Sequence, residues 1–94
     1  MRTPIFALAF LAACASSGKL SEAAKEMQLF PNKPGAECSV VGKVVGENDQ
    51  GSVDLARNHA RNLGAKLGAN GLFIDQEVPN GASVKVYATA YQCE

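Results

Sequence analysis

The sequence predicts a small α+β domain, in which a sheet of about four strands, antiparallel or mixed, carries one helix on one face and is held by one disulfide. Three observations predict this class. A valine-rich run precedes a segment whose apolar residues recur at three- and four-residue spacing, as in an amphipathic helix. An alternating run near the end of the chain is typical of a strand with one packed face. The predicted order is therefore strand, strand, helix, strand, strand.

The first residues are typical of an export signal and not of a folded element. One basic residue, Arg2, precedes an almost wholly apolar run from Pro4 to Ala13, and Cys14 follows directly. Ten apolar residues rise about 15 Å as a helix, roughly half of a bilayer core, which argues against a permanent transmembrane span. We therefore expect residues 1–13 to be a signal peptide.

The end of this run resembles the lipobox of bacterial lipoprotein precursors, because an aliphatic residue and two small residues precede the cysteine in Leu11-Ala12-Ala13-Cys14. The resemblance implies a diacylglyceryl thioether on Cys14, cleavage before it and acylation of the new amine. A thiol is needed because only its thiolate is nucleophilic enough near neutral pH. Ala15 is not aspartate, which by resemblance to enterobacterial lipoproteins implies the outer membrane, facing the periplasm. An ordinary secretory signal with a chance cysteine is the alternative.

The mature chain is predicted to consist of a lipidated N-terminus and short tether at residues 14–24 and a single domain at residues 25–94. The first strand is predicted at Glu26 to Phe30, because two prolines and a glycine follow it. The second strand is predicted in the valine-rich run from Cys38 to Gly46. Within that run the glycines at 42 and 46 indicate a bulge or a close backbone approach for a bound segment, and packing under Tyr87 or Tyr91 is the equal alternative.

The single helix is predicted to begin after Ser52, a favourable N-cap, and to end before Gly68, which suits a left-handed C-cap. Its apolar stripe consists of Val53, Ala56, Ala60, Leu63 and Leu67. The third strand is predicted to start at Leu72.

The last strand is predicted to return from a tight hairpin. Asn80-Gly81 favours a type I′ turn. The aliphatic residues of the returning strand should face the helix, while Tyr87 and Tyr91 should lie on the opposite face. Those aliphatic residues are Val84, Val86, Ala88 and Ala90.

Three cysteines occur in the chain. With Cys14 lipidated, Cys38 and Cys93 remain, at the start of the second strand and the end of the fourth. If these strands are antiparallel neighbours, the two cysteines come within bonding range, so we expect a disulfide between them. A redox-active or metal-binding pair is the alternative, but there is no Cys-x-x-Cys, and the one histidine is not enough to complete a zinc site.

The charged and polar residues predict no catalytic site. The formal net charge is zero, which argues against nucleic acid as a partner. His59, the only histidine, has no nucleophile and orienting acid at a suitable spacing, so neither an enzyme nor a cofactor nor a metal is expected. A polar ridge on the helix is a candidate partner-binding face, or a solvated face in which Asp54 pairs with Arg57. The ridge consists of Arg57, Asn58, Arg61 and Asn62.

The order of features also resembles a family, through the lipobox and five short segments. These segments are Cys38 to Gly42, Ala56 to Asn62, Leu67 to Asn70, Asn80-Gly81 and Ala90 to Cys93. The chain resembles YjeI-like small lipoproteins of unknown function and, more distantly, RcsF-type outer-membrane stress-sensing lipoproteins. The resemblance implies a compact disulfide-bonded domain that binds other envelope proteins. The RcsF type has a long proline-rich linker and two disulfides, which this chain lacks, so long-reach signalling is not expected.

The function expected from the sequence is therefore that of a membrane-anchored envelope lipoprotein with a non-enzymatic binding or stress-related accessory role. Its expected partners are the membrane, through the lipid on Cys14, and other envelope proteins. A thiol-redox or other enzymatic accessory and a lipid- or glycan-binding module are the alternatives.

Overall fold

The computed structural model describes residues 19–94, and the predicted α+β class is confirmed. The elements are α1 (Glu22–Lys25), β1 (Gln28–Leu29), β2 (Cys38–Asn48), α2 (Val53–Lys66), β3 (Gly71–Asn80) and β4 (Ser83–Cys93). The strands form one mixed sheet in the order β1-β3-β4-β2. Only β1 runs parallel to its neighbour, β3, and α2 packs on one face of the sheet.

The start of the domain differs from the prediction. The first strand is only two residues long, and a helical turn, α1, comes before it. The side chain of Ser21 caps this turn by accepting a hydrogen bond from the amide of Ala24 at 3.1 Å. Ala24 is fully buried, so the fold includes residues that were predicted as tether. The local pattern hid this turn because four residues are too few to show a helical period.

The helix α2 begins and ends where its caps predict. The Ser52 hydroxyl accepts a hydrogen bond from the amide of Leu55 at 3.2 Å, and Gly68 stops the helix with a φ of +86°. Leu67 is the C-cap residue and is 48% exposed, yet it still reaches the sheet. Its Cδ1 lies 2.8 Å from the place that a Cβ on Gly42 would occupy.

The two glycines of β2 have different roles, and the structure contains a bulge and a close backbone approach, although no bound segment makes that approach. The register of β2 shifts between Val40 and Gly42, which is a bulge. At Gly46 the helix backbone lies directly on the strand. A Cβ there would overlap the carbonyl oxygen of Ala56 and the backbone nitrogen of Ala60. The close backbone approach is therefore made by the chain's own helix.

The core lies between α2 and the aliphatic face of β4, as predicted. The core cluster includes Met27, Val44, Ala56, Ala60, Leu72, Val84, Val86, Ala88 and Ala90. Leu72 and Val86 are the largest fully buried side chains, so the core is thin.

The two tyrosines of β4, which alternate with the residues facing the helix, differ in burial. Tyr87 is 38% exposed, whereas Tyr91 is only 8% exposed. The ring of Phe30 packs edge-on against Tyr91, with centroids 6.1 Å apart. Residues just after β1 thus cover one end of the face that the helix leaves open.

The hairpin between β3 and β4 forms, but the predicted type I′ turn is wrong. Asn80 pairs with Ser83, so Gly81 and Ala82 are the central residues. Of these two residues only Gly81 has a positive φ, at +64°, and no non-glycine residue among 19–94 has one. Positive φ at the first central residue alone is the pattern of a type II′ turn, because an alanine at the second position avoids the left-handed region.

Candidate functional site

The disulfide predicted from the strand pairing is present. Cys38 and Cys93 lie directly opposite each other on β2 and β4, with α-carbons 4.0 Å apart, and are bonded. Asn70 supports this end of the sheet from the turn after α2. Its side chain accepts from the Cys93 amide and donates to the Cys93 carbonyl, both at 2.8 Å. The disulfide therefore links the start of β2 to the end of β4.

Arg57, the first residue of the predicted polar ridge, is bound to two carboxylates. Its Nε and Nη2 donate to the two carboxylate oxygens of Glu77 on β3, the second at 3.0 Å. Its Nη1 lies 3.5 Å from Asp54, which confirms the predicted pair across one turn. The hydrogen bond from Arg57 lowers the pKa of Glu77 below its ordinary value and raises the pKa of Arg57, while partial burial opposes both shifts.

These two ion pairs determine whether a charged ligand can bind at Arg57. One guanidinium between two carboxylates leaves a local charge of −1, as +1 − 2 shows. A phosphate or another anion would therefore meet net repulsion at Arg57. The contacts argue against lipid phosphate as the ligand of this residue.

Arg61 and Asn62 hold an earlier part of the chain, residues 19–31, which we call the N-terminal segment. The Arg61 Nη2 donates to the carbonyls of Ala24 and Met27, at 3.0 and 3.2 Å. The side-chain amide of Asn62 donates to the Lys19 carbonyl at 2.6 Å and accepts from the Ser21 amide at 2.9 Å. Two positions of the ridge thus serve the fold itself.

Asn58 completes the ridge and is partly buried on α2. Binding of a partner to Arg57, Asn58, Arg61 and Asn62 stays a prediction. Arg57, Arg61 and Asn62 bind other parts of the chain through their side chains.

His59 covers the outer edge of β2. Its Nδ1 accepts a hydrogen bond from the backbone amide of Glu47 at 2.9 Å, so the ring proton of the neutral form is on Nε2. This contact satisfies a backbone amide on β2, an edge strand of the sheet that residues 19–94 form. Among residues 19–94, no group of three or more histidine, cysteine, aspartate or glutamate side chains could hold a metal ion.

An open cleft of about 460 Å³ lies at the opposite edge of the sheet from His59, where β1 ends beside β3; we call it the edge cleft. Its walls are Leu29, Phe30, Pro31, Arg57, Phe73, Ile74 and Glu77. The volume falls within the range of about 300 to 1,000 Å³ that is usual for ligand sites, and most of its side chains are apolar. Of its lining residues only Arg57 was a candidate from the sequence.

The edge cleft exists because β1 stops early. It pairs with β3 only at Gly71 and Leu72, and the Phe30 amide then donates to the Leu72 carbonyl at 2.9 Å. Pro31 follows, which has no amide proton to continue the ladder. Within residues 19–94, no strand pairs with this edge of β3 from Phe73 onwards. By alternation from Leu72, the next backbone groups that face this edge are those of Ile74.

Cys14, the predicted lipidation site, lies outside the described residues, as do the predicted signal peptide at 1–13 and the first part of the tether. In the part of the chain from Lys19 onwards, no helix is long and apolar enough to cross a bilayer.

Comparisons with known proteins give a distant homologue without a described activity. The chain is 32% identical over 73 residues to the uncharacterized protein YjeI of Escherichia coli K12, and equally to its counterparts in another E. coli strain and in Shigella flexneri. The match covers 67% of this chain and 62% of each relative, so the chain spans about three fifths of the relatives' length. No family model matches, and no solved structure matches. The likeness to RcsF-type proteins stays a prediction.

Proposed function

We propose that this chain is a lipid-anchored, non-enzymatic binding protein of the bacterial cell envelope, held by Cys14 to the outer membrane and facing the periplasm. The Cys38–Cys93 disulfide is the observation that supports this proposal most directly. Disulfides persist in oxidising compartments such as the periplasm and are rare in the cytosol. With these two cysteines bonded, the third lies in the lipobox-like sequence at the end of an apolar run.

The thin core is a second observation in favour of an oxidising compartment. Small domains often bury too little apolar surface to be stable without a covalent cross-link. Here the largest fully buried side chains of the described region are Leu72 and Val86. A disulfide between residues 55 positions apart lowers the conformational entropy of the unfolded state and so stabilises the folded domain. A chain built in this way requires export to reach its full stability.

The N-terminal segment sets how far the domain stands from its anchor. Because Asn62 binds the carbonyl of Lys19, the chain between Cys14 and the domain is only about five residues long. Fully extended, five residues span at most about 18 Å. The domain therefore works next to the membrane surface, where its binding partners would be other envelope proteins, as the resemblance to RcsF-type lipoproteins also implies. A stress-related role would follow from the same resemblance.

Replacement of the proposed lipid acceptor tests the anchoring. We expect Cys14→Ser to move the protein from the detergent phase to the aqueous phase in a temperature-induced phase separation, or to leave it as an uncleaved precursor. Ala15→Ser is the matched control, because it adds the same hydroxyl beside the site and should leave the lipid in place. Unchanged partitioning and an unchanged mature N-terminus in Cys14→Ser would overturn the proposal.

A further inference from the structure

We propose that the chain forms a two-fold dimer with a second copy of itself, through the face of the sheet that α2 does not cover. We call this surface the open face. It presents Val40, Lys43, Val45, Asp75, Tyr87 and Thr89. Three observations support the dimer: exposed apolar side chains, a charge pattern that complements itself across β4, and the end of the sheet at which the chain leaves the domain. Only the third observation rests on the anchoring proposed above.

The open face exposes apolar side chains on two neighbouring strands. Directly opposite residues of an antiparallel pair point to the same face, so the register places Val40 beside Tyr91 and Val45 beside Tyr87. Val40 is 59% exposed, and Val45 and Tyr87 are each about two fifths exposed. Apolar side chains that cluster on one exposed surface are typical of an interaction site.

A polar row crosses the middle of the open face. The hydroxyl of Thr89 on β4 donates to the carboxylate of Asp75 on β3 at 2.7 Å and accepts from the ammonium of Lys43 on β2 at 3.3 Å. Asp75 is the extra residue of the β3 bulge between Ile74 and Gln76, and its hydrogen bond with Thr89 places its carboxylate on the open face. The row therefore has a positive charge on one side of β4 and a negative charge on the other.

A two-fold axis along β4 makes this neutral row complementary to itself. Rotation about that axis places β2 of one copy over β3 of the other, so that each Lys43 lies opposite the second copy's Asp75. An ammonium has three donor protons and a carboxylate has two acceptor oxygens, so both groups can bind across the interface while they keep Thr89. Lys85 also lies close to the axis, but its directly opposite neighbour on β2, Glu47, offsets its charge within the same copy.

The position of the anchor selects the same axis. Asn62 binds the carbonyl of Lys19, and two residues later Gly64 lies against Leu72 at the start of β3. The chain therefore leaves the domain at this end of the sheet. An axis parallel to the strands puts this end of both copies on the same side, so that two short tethers reach one membrane. An axis across the strands would separate the anchors and place Lys43 against Lys43.

The size of the open face suits a weak dimer. β4 is 11 residues long. At about 3.4 Å per residue and about 4.8 Å between strands, β2, β3 and β4 offer roughly 500 Å² per copy. Two such faces cover about 1,000 Å², near the lower bound for a specific interface. Such a dimer is favoured where anchoring raises the effective concentration of both copies.

Two charge variants of the full chain, carrying different affinity tags, test the pairing. Lys43→Glu places two carboxylates together across the interface, and Asp75→Lys places two ammonium groups together. Each variant alone should therefore dimerise roughly tenfold more weakly than the parent in detergent. Mixed in equal amounts, the two variants should form a heterodimer about as strongly as the parent, because both interface pairs again join opposite charges.

Sedimentation measures the association, and purification through one tag followed by detection of the other identifies the heterodimer. Contacts of these side chains within one copy predict no such rescue on mixing. Lys66→Glu and Asp54→Lys are the matched controls, because they make the same charge changes at exposed positions on α2, on the other side of the sheet. Both controls should dimerise like the parent.

A cysteine close to the axis tests the geometry in intact cells. Tyr87→Cys should be linked to its counterpart in a second copy by a short bismaleimide, which gives a dimer band on a denaturing gel. Asp54→Cys, on the helix side, is the matched control and should give much less dimer.

A parent that stays monomeric at its highest soluble concentration, a mixture that associates no better than the single variants, or equal crosslinking from positions 54 and 87 would overturn the proposal. A crosslink from position 87 to a different envelope protein would assign the open face to that partner and also overturn it. Cys14→Ser should dimerise like the parent in detergent, because the interface contains no lipid, so failure here and failure of the anchoring proposal are distinguishable.

Discussion

The two edges of the sheet are protected by different kinds of contact. At the β2 edge, a disulfide joins Cys38 to Cys93, the helix backbone lies on Gly46, and His59 covers an outer amide. At the β3 edge, β1 pairs with only two residues, and the N-terminal segment that carries β1 is held by side chains such as Asn62. One edge is covalently and sterically fixed, whereas the other is held by two strand pairs, by hydrogen bonds from Asn62 and Arg61, and by the burial of Ala24 and Met27.

This difference indicates which part of the domain can open on its own. Contacts between backbones and a covalent bond are lost only when the sheet unfolds, whereas a short segment held by side-chain hydrogen bonds and two buried side chains can detach locally at a smaller cost. The edge cleft borders the locally held part, because Leu29, Phe30 and Pro31 belong to the N-terminal segment. Binding sites are often drawn from such regions of lower local stability.

The largest expected effect is at the fixed edge. Replacing both Cys38 and Cys93 with alanine should lower the free energy of unfolding by about 2 to 5 kcal/mol, the usual loss for a native disulfide in a small exported domain. Denaturant unfolding of the oxidised parent and the variant measures it. A single replacement should be at least as harmful in the oxidising compartment, because the remaining thiol can capture a wrong partner. A double variant as stable as the parent would show that the fixed edge does not depend on its disulfide.

The next largest effect is expected where α2 contacts β2. Gly46→Ala should lower the free energy of unfolding by about 1 to 3 kcal/mol, because the added methyl overlaps backbone atoms of Ala56 and Ala60 and the helix must move. Gly35→Ala is the matched control. There the nearest atom to the new Cβ is the flexible carboxylate tip of Glu37 at 3.0 Å, so stability should change little. Equal losses in both variants would remove the close approach as the cause.

A smaller and local effect is expected at the other edge. Asn62→Ala removes two hydrogen bonds to the N-terminal segment and should speed hydrogen exchange of the Ser21 amide roughly fivefold or more, since each bond is worth about 1 kcal/mol. Exchange in β2 and β4 should stay unchanged. Asn32→Ala, at an exposed position in the turn after β1, is the control. Faster exchange throughout the sheet would mean that the two edges open together.

The smallest effect concerns the wall of the edge cleft and depends on pH. The pKa of Glu77 is below its ordinary value of 4.5 because of the hydrogen bond from Arg57, so the pair contributes its full stability above that value. The contribution is lost as the pH falls through the lowered pKa of the folded state. Both side chains are partly exposed, so we expect only about 0.2 to 1 kcal/mol.

Urea unfolding of the parent and of Glu77→Gln measures this contribution at neutral pH and near pH 2. The difference between the two proteins should be present at neutral pH and shrink towards zero in acid. A difference that stays constant over this range would mean that the charge of Glu77 is not its cause.

Local chemistry accounts for what could be predicted of the fold. Ser52 and Gly68 end the helix through contacts within one turn, and the alternation along β4 follows from strand geometry alone. The positions of Cys38 and Cys93 at opposite ends of two strands implied antiparallel pairing, which the register confirms. The turn at Gly81 was assigned to the wrong type because the strand register, and not the dipeptide, decides which residues are central.

The candidate site was less accessible to prediction. Arg57 and Glu77 are 20 residues apart, and nothing in either neighbourhood indicates the other. Asn62 binds Lys19 across 43 residues, which turned part of a predicted surface ridge into an internal attachment. The short β1 beside β3 created the edge cleft from two remote segments.

By itself, the sequence determined the α+β class, the helix with its caps, the packed face of β4 and the cysteine pair, because each depends on neighbours along the chain or on one strand pairing. Only the tertiary structure decided which polar groups of α2 were taken by the N-terminal segment and where the sheet kept an open edge. Those outcomes depend on how distant segments meet, and no local period or spacing encodes that meeting.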